Sequence, residues 1–477
     1  MKITLHNIGI IQDSNIQLDG LTVITGENNS GKTTVGKVLY SLLDAVTNIQ
    51  NKAINDRNYY IGKKLDEIKS TLDFFRYQYI LRDQKIDHHF GDEDSKINIL
   101  FSSRNYKSQL QNSELENFAH ELFDELSSLY TKIENNKEII NYYSKYISKN
   151  DPLIATNILK EQINRAKDIL KNLFDNLEKD SELFDYTRES INETLRIEFA
   201  NQIQPVIQPI KKSKIKLTGE NSIYFDIEIV DNRVVNNGKP IFITAPYQKT
   251  YLIDNPFIID APSNIRYINY NEVEVNDSLL NIGRIRTHDH KLSLVLRNGN
   301  RSTVFEKMIL NEYLVEIKKQ IDQVIPGEFE FNREGDYYIL DGKKLKVANL
   351  ATGSKMFSIL KILLENGEID ETTMLILDEP EAHLHPSWQN KFAEIIVLLV
   401  KELNTNILLT THSPNFMLAI DAYMREYDIS LKTNFYQTNY LKNGFVEYQC
   451  VNDDMGKIYA DFMKYLSEVK VLRNKNL

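Results

Sequence analysis

The pattern of apolar and polar positions changes twice along this chain. Near the start, short apolar runs between turn signals predict strands at residues 3–6, 14–18 and 21–25. After the third strand the apolar positions recur every three or four residues, as in a helix. These positions are Val35, Val38, Leu39, Leu42 and Leu43. The sequence therefore opens with a predicted strand–loop–helix unit.

From residue 51 to 215 the chain becomes charged and rich in Asn and Tyr, and helical periodicity dominates. Apolar residues step by three and four over 115–133 and 163–177, which predicts two amphipathic helices. Asp151 followed by Pro152 is typical of a helix start, with the acid as N-cap and proline at the first helical position. We expect a helical insert built from antiparallel hairpins.

Strand-like alternation returns after residue 216. It predicts strands at 223–230, 240–244 and 291–296, a helix over about 304–324, and a hairpin formed by 328–331 and 337–340. The chain is therefore interpreted as an α/β protein. Residues 1–50 and 216–477 form one head, and residues 51–215 form a helical insert within it.

Composition limits the classes of protein that fit. The 477 residues are 42% hydrophobic and 26% charged, as in ordinary globular domains. Apolar runs fall far short of the roughly 20 residues that span a bilayer, and the N-terminus lacks the apolar core of a signal peptide. With one cysteine, Cys450, an internal disulfide is excluded. We expect a cytoplasmic protein without a membrane partner.

The net charge of −10 argues against a molecule that attracts nucleic acid over its whole surface. DNA or RNA would have to use a local basic patch. Residues 211–216 are the clearest candidate, and Lys470, Arg473 and Lys475 form a second. Such runs are more often simply solvated surface.

Residues 26–33 fit the phosphate-binding pattern G-x-x-x-x-G-K-[ST] between the predicted strand and helix. The glycines let backbone N–H groups turn toward phosphates at a helix N-terminus. Lys32 is expected to reach the β- and γ-phosphates, and the Thr33 hydroxyl to hold Mg²⁺. The predicted nucleotide-binding residues here are Gly26, Asn28, Asn29, Ser30, Gly31, Lys32, Thr33 and Thr34.

Two later apolar runs end in chemically active residues. Residues 374–377 are followed by Asp378 and Glu379, a pattern typical of a buried strand ending at a magnesium site. Asp378 would hold the ion, and Glu379 would orient the attacking water or accept its proton. Residues 407–411 end at His412, which is placed to contact a γ-phosphate.

A third segment, Thr352, Gly353, Ser354 and Lys355, opens an amphipathic run and so predicts an anion site at a helix start. With it, the order of motifs resembles the ATP-binding-cassette ATPase superfamily. These four residues match the last four positions of the common signature Leu-Ser-Gly-Gly-Gln, with Lys355 in place of Gln. The segments 378–386 and 411–414 are more closely similar to the overcoming-lysogenization-defect family, RecF and the ATPase subunits of Septu-type antiphage systems. The resemblance covers about residues 1–45 and 335–450.

The resemblance implies a P-loop head of the ATP-binding-cassette type, with a mixed sheet and an antiparallel β lobe. It implies ATP and Mg²⁺ as cofactors and ATP hydrolysis with Glu379, His412 and Lys32 in catalytic roles. It also implies a head-to-tail homodimer, in which the signature of one copy caps the γ-phosphate bound by the other. Residues 381–385 fall where the family places a dimer-contacting loop, and Gln248 is the candidate for its glutamine loop.

Several functions fit these motifs. One is the sensor ATPase of an antiphage system with a separately encoded effector such as a nuclease, because too few residues follow His412 for a TOPRIM domain. Another is a RecF- or SMC-like ATPase that binds DNA for repair or maintenance. A transporter subunit is disfavoured by Lys355 and by the helical insert. A metal site could also be formed by His288, Asp289 and His290, or by His88 and His89. The favoured interpretation is that these histidines lie in exposed loops and bind no metal.

Overall fold

The computed structural model describes residues 1–72, 114–148, 150–177, 183–208, 210–220, 222–235, 245–260, 287–297, 314–332 and 334–460. These residues form two compact units. The first unit contains residues 1–49 and the described residues from Phe184 onward, and the second contains the described residues of 50–183.

The strands of the described residues all belong to the first unit. They are β1 (Lys2–Ile8), β2 (Ile11–Gln17), β3 (Leu21–Thr25), β4 (Ser213–Thr218), β5 (Ile223–Val230), β6 (Arg233–Val235), β7 (Lys249–Ile253), β8 (Glu328–Phe331), β9 (Asp336–Leu340), β10 (Lys343–Lys346), β11 (Thr373–Asp378), β12 (Asn406–Thr411), β13 (Thr433–Tyr440) and β14 (Val446–Cys450). Eleven of them form one sheet in the order β6-β5-β4-β1-β2-β14-β13-β3-β12-β11-β7, and β8, β9 and β10 form a separate antiparallel sheet.

The helices of the described residues are α1 (Lys32–Val46), α2 (Ile49–Thr71), α3 (Leu115–Asn135), α4 (Lys137–Ile147), α5 (Pro152–Leu177), α6 (Leu183–Glu198), α7 (His288–Arg297), α8 (Val315–Asp322), α9 (Thr352–Glu365), α10 (Pro386–Leu403) and α11 (Pro414–Glu426). Short 3₁₀ turns occur at Pro256–Asp260, Val347–Asn349 and Ser430–Lys432. The fold is a mixed α/β head in which an antiparallel lobe continues into a parallel sheet.

Five parallel strands, β13, β3, β12, β11 and β7, form the centre of the large sheet. Their registers align their carboxyl ends: Thr25 pairs with Thr411, Thr410 with Asp378, and Leu377 with Ile253. Ligands of open α/β sheets bind at this edge, beyond the carboxyl ends of the strands. The topology therefore brings the loops after β3, β7, β11 and β12 to one place.

Every residue of β3 is buried, because helices cover both faces of the parallel sheet. Val23 points into a core formed with α9, α10 and α11, where Phe357, Phe392 and Phe416 are fully buried. Ile24 points to the other face and packs with α1. The phosphate-binding loop thus follows a strand that is fixed on both sides.

The second unit has an apolar core of its own. Leu65 of α2, Leu122 and Leu126 of α3, and Leu159 and Leu170 of α5 are completely buried within it. Helices α3 and α5 confirm the periodicity predicted at 115–133 and 163–177. Asp151 Oδ1 accepts hydrogen bonds from the backbone N–H groups of Leu153 (2.9 Å) and Ile154 (3.2 Å), which confirms the predicted N-cap.

The structure corrects two sequence-based expectations. Residues 291–296, predicted as a strand, lie in helix α7, because Leu292 and Leu296, four residues apart, face the same core. The sequence predicts an insert over residues 51–215, whereas the described residues of the second unit lie within 50–183. Helix α6 belongs to the first unit because Ile191 and Leu195 pack into its core, and β4 already begins at Ser213.

The remaining elements largely follow the sequence pattern. The hairpin predicted at 328–340 is present as β8 and β9. Of the helix expected over 304–324, the structure describes Val315–Asp322, and the strand expected at 240–244 lies outside the described residues. Over the described ranges, no helix is both long and apolar enough to span a membrane.

Candidate functional site

The phosphate-binding loop has the backbone that its glycines predict. Gly26 has φ = 154°, and a Cβ on it would lie 1.7 Å from Thr438 Oγ1, so no larger residue fits without displacement. Asn29 and Gly31 also have positive φ, at 63° and 79°. Helix α1 begins directly after Gly31, which points the N-terminus of the helix at the loop. The loop is therefore built to receive an anion.

The hairpin formed by β13 and β14 supports this loop. Tyr440 donates a hydrogen bond to the carbonyl oxygen of Asn29 (2.9 Å), and Tyr448 donates to that of Gly31 (2.8 Å). The Thr438 hydroxyl bonds to that of Ser30 at 2.8 Å. Sequence reasoning missed these residues, because nothing in the local pattern connects them with a loop some 400 positions away.

The two residues expected to hold magnesium lie side by side. Thr33 Oγ1 donates a 2.6 Å hydrogen bond to Asp378 Oδ2, and the other carboxylate oxygen of Asp378 accepts one from Thr410. Burial raises the pKa of Asp378 even though both hydroxyl groups oppose the shift. A half-buried carboxylate beside a hydroxyl is an all-oxygen donor set that suits Mg²⁺, and the charge of the ion would stabilise the carboxylate. The residues therefore fit the ion.

Glu379 lies between the two other predicted catalytic residues. Its Oε1 is 3.5 Å from Lys32 Nζ, and its Oε2 is 3.3 Å from His412 Nδ1. Its backbone has φ = 48°, a left-handed conformation that is strained for a non-glycine residue and is often found at functional sites. Two hydrogen bonds from its N–H to Thr410, one to the carbonyl and one to the hydroxyl oxygen, hold it there.

Lys32 is almost fully buried and donates to the carbonyl oxygens of Gly26 (3.1 Å) and Glu27 (2.8 Å). These contacts keep its ammonium within the loop, pointing across it toward Glu379. His412 is 42% exposed, and Glu379 is 31% exposed. Both can therefore meet a ligand that lies on the loop.

Glu381 has a position that the sequence did not predict. It was placed in a loop expected to contact a second copy, yet it is 1% exposed. Its Oε1 accepts hydrogen bonds from the Thr411 hydroxyl and from the backbone N–H of His412 (3.3 Å). Burial raises its pKa, and these hydrogen bonds oppose the rise. Glu381 therefore fixes the end of β12 and with it the backbone of His412.

The signature segment opens helix α9 as expected, but its charged residue points inward. Lys355 is 3% exposed, forms an ion pair with Asp260, and lies 5.0 Å from the ring centroid of Phe257. Its side chain is thus engaged within its own chain, which corrects the expectation that it binds phosphate. Thr352 lines a cleft of about 120 Å³ together with Asp254, Asp378 and Glu379.

Gln248 does not lie at this site. It is exposed and precedes β7, and its backbone N–H donates to the carbonyl oxygen of Thr372 (3.0 Å), at the amino ends of the strands. The phosphate-binding loop lies at the carboxyl ends, so the assignment of Gln248 as the glutamine loop is wrong. The residue that follows the carboxyl end of β7 is Asp254.

The other predicted charged sites have ordinary surroundings. In the basic segment 211–216, Lys212 forms an ion pair with Glu228 (2.6 Å) and Lys214 with Asp226 (3.0 Å), which lowers the positive potential of the patch. Lys470, Arg473, Lys475, His88 and His89 lie outside the described residues. His288, expected in an exposed loop, is instead buried at the start of α7.

Comparisons with known proteins identify the family of this chain. The sequence matches the AAA ATPase domain family over residues 1–417. Among solved structures it is similar to the SMC head domain from Thermotoga maritima, with 12% identity, a TM-score of 0.35, and coverage of 94% of this chain and 98% of that one. It is also similar to an SmcHead bound to the C-winged helix domain of ScpA, with 11% identity, a TM-score of 0.39, and coverage of 96% and 98%. Because the family match covers most of the chain and includes every motif from Gly26 to His412, the protein belongs to the AAA ATPase domain family.

Proposed function

We propose that this protein binds ATP with Mg²⁺ and hydrolyses it to ADP and phosphate. One observation carries the proposal: the Thr33 hydroxyl and the Asp378 carboxylate meet at 2.6 Å, beside a glutamate that lies between Lys32 and His412. These groups come from three segments of the chain, and the aligned strand ends collect them. Phosphoryl transfer requires mainly such positioning and charge stabilisation.

Each group has a distinct task. The N–H groups of the loop and the N-terminus of α1 bind the phosphates. Lys32 gives up its hydrogen bonds to the loop carbonyl oxygens and donates to the β- and γ-phosphates instead. Thr33 and Asp378 hold the magnesium ion, which neutralises phosphate charge when it is bound. Glu379 orients water and accepts its proton, and His412 contacts the γ-phosphate.

The test is Glu379→Gln, which keeps the size and hydrogen-bonding capacity of the side chain but removes the base. ATP affinity should stay near that of the wild type, while kcat for phosphate release falls about 10²-fold or more. Glu371→Gln is the matched control, since Glu371 is exposed at the other end of β11 and should change neither quantity. Wild-type turnover by Glu379→Gln would remove Glu379 from the mechanism.

We further propose that a second copy completes the site. The side chains of Glu379 and His412 are 31% and 42% exposed, so the described residues leave both side chains open to solvent. The N-terminus of α9 has no side-chain cap, which leaves its N–H groups for an anion. In a head-to-tail dimer this N-terminus faces the γ-phosphate of the other copy.

Dimerisation is tested by sedimentation of Glu379→Gln with saturating Mg²⁺ and ATP, where the dimer should accumulate because hydrolysis no longer ends it. Thr352→Glu places a negative charge at the start of α9 and should prevent the dimer from forming. A protein that stays monomeric with ATP bound would contradict the two-copy site.

On the motif resemblance, we propose that the dimer is the regulatory ATPase of an antiphage system and acts with a separately encoded effector such as a nuclease. Expression of the ATPase with its neighbouring reading frames should reduce phage plating, and Glu379→Gln should abolish the protection. Salt-dependent DNA binding by the ATPase alone, lost when Lys212 and Lys214 are replaced by alanine, would instead favour a DNA-maintenance role.

A further inference from the structure

A buried ionic cluster lies beside the candidate site, and none of the nucleotide-binding motifs includes it. At its centre is His288, which opens α7 and is 7% exposed. Its Nδ1 is 2.7 Å from Glu198 Oε2, and its Nε2 is 3.1 Å from Asp254 Oδ1. The backbone N–H of His288 also donates to Glu198 Oε1 at 2.9 Å. One imidazole therefore joins the last residue of α6 to the residue that follows β7.

The geometry requires a charged ring. A neutral imidazole has one donor, whereas both ring nitrogens of His288 face carboxylate oxygens, so both carry a proton. Burial by itself lowers the pKa of His288, but the hydrogen bonds to Asp254 and Glu198 outweigh it and raise the pKa to about 10. For Asp254, burial by itself raises the pKa, but the hydrogen bond to His288 outweighs burial, and the net effect is a lowered pKa. At neutral pH the pair is an ion pair.

Charged and titratable groups from the neighbouring elements surround the ring. Helix α1 contributes Lys37, whose charge lowers the pKa of Asp254, and Tyr40, whose ring meets that of His288 edge-on at 5.8 Å. It also contributes Asp44, which forms an ion pair with Lys291 of α7. The Asp289 carboxylate approaches His288 Nε2 at 3.7 Å. The cluster therefore contains charges of both signs.

Asp254 connects this cluster to the magnesium residues. Strand β7 runs parallel to β11 with Ile253 opposite Leu377, so Asp254 and Asp378 follow paired positions on adjacent strands. Adjacent strands are about 4.8 Å apart. Both carboxylates line the same cleft, together with Glu379.

We propose that His288 is a positioning residue, which holds Asp254 against the magnesium site and links that site to the end of α6. Asp254 then orients the water around the ion. When Asp254 is displaced, Glu198 transmits the displacement to α6, the helix that begins at the boundary between the two units. This inference rests on the proposed function, since it assumes that Thr33 and Asp378 hold magnesium.

Two variants test the link from His288 to Asp254. His288→Gln should raise the Mg²⁺ concentration needed for half-maximal binding of a fluorescent ATP analogue by about 10- to 100-fold, as loss of an outer-shell partner of a metal site commonly does. Asp254→Asn should have a similar effect. Because His288 acts through Asp254, the double variant should need no more Mg²⁺ than Asp254→Asn alone. If the two replacements damaged the protein independently, their effects on the Mg²⁺ requirement would instead add up.

His290→Gln is the matched control, since it makes the same replacement two residues along α7. It should leave the Mg²⁺ requirement within about twofold of the wild type, as expected for a site away from the coupled residues. Equal Mg²⁺ requirements in His288→Gln and the wild type would overturn the inference. Absence of Mg²⁺-dependent nucleotide binding by the wild type would instead reject the proposed function.

The charge on His288 can be measured in the wild-type protein, so this experiment does not require that a variant folds stably. Ring-labelled histidine NMR should show at least one of the nine histidines still protonated at about pH 9, where ordinary histidines with pKa values near 6.5 are neutral. A spectrum with only neutral rings at that pH contradicts the ion pair. The ion pair is also contradicted if the wild type binds Zn²⁺ stoichiometrically and His288→Gln does not, because Asp254, His288 and Asp289 would then form a metal site.

The link to α6 is read by hydrogen exchange. Addition of Mg²⁺ and ATP should change the exchange of the amides near Glu198 in the wild type. The change should disappear in His288→Gln, measured at a Mg²⁺ concentration that saturates both proteins. If the nucleotide-dependent change persists in the variant, α6 is not coupled through His288.

Discussion

The two units of this protein are stabilised by different means. In the first, charged groups lie buried at the ends of the parallel strands: Lys32 is 4% exposed, Glu381 1% and His288 7%. In the second, the buried side chains of the described residues are mainly Leu and Ile, and the ion pair between Arg57 and Glu116 is exposed. Burying charge costs free energy unless each group finds a partner, whereas burying apolar surface is favourable without one. The contrast separates a region arranged for chemistry from one arranged for packing.

This contrast also explains what the sequence could predict. The sequence pattern predicted the phosphate-binding loop, Asp378, Glu379 and His412, because each of them follows an apolar strand at a recognisable spacing. The helices of the second unit were found by periodicity alone. In both regions the informative pattern of apolar and polar residues was local. It extended over about one helix, or over one strand and the loop that follows it.

What the sequence could not predict depends on distant contacts. Glu381 looked like part of an exposed loop, and only the pairing of β11 with β12 shows that it supports His412. His288 and Tyr448 act through partners far along the chain. Gln248 was misassigned because it follows the strand predicted at 240–244, whereas β7 begins after it, at Lys249.

The largest expected difference between the units is their response to pH. The pKa of His288 is raised from 6.5 to about 10 on folding, so its contribution to stability is complete below pH 6.5 and is lost as the pH rises through 10. The shift corresponds to several kcal/mol as an order of magnitude. Urea unfolding followed by fluorescence of Trp388, the single tryptophan and a residue of α10, reports on the first unit.

In that experiment the difference in unfolding free energy between the wild type and His288→Gln should shrink as the pH increases from 6.5 to 10. Subtracting the variant removes the other groups that titrate in this range. A difference that is constant with pH would show that the first unit does not depend on the charge of His288.

Leu126→Ala tests whether the apolar core of the second unit is independent. Leu126 is fully buried in α3, so its truncation should lower the stability of that unit by about 2–5 kcal/mol. The loss should appear in the helical circular dichroism transition and leave the Trp388 transition and ATP hydrolysis unchanged. Ser128→Ala, at an exposed position of the same helix, is the control. Equal shifts in both transitions would show that the units unfold together.

Gly26→Ala tests how tightly the phosphate-binding loop is packed. Its new Cβ would meet Thr438 Oγ1, and the resulting displacement should cost about 1–3 kcal/mol and abolish ATP binding measured by calorimetry. Gly342→Ala is the matched control, because Gly342 also has positive φ (73°) but no atom within 4 Å of an added Cβ. If both variants bind ATP normally, close packing around Gly26 is not required.

The smallest effect is expected at the start of α5. Asp151→Ala removes the acceptor for the N–H groups of Leu153 and Ile154 and should lower the stability of the second unit by about 1 kcal/mol. Asp151→Asn keeps the acceptor and should stay near the wild type. Because this change lies among exposed groups and far in sequence from every motif, ATP affinity should not respond. A change in ATP affinity with Asp151→Ala but not with Asp151→Asn would mean that helix order in the second unit reaches the nucleotide site, and the division into a chemical and a packing region would then be incomplete.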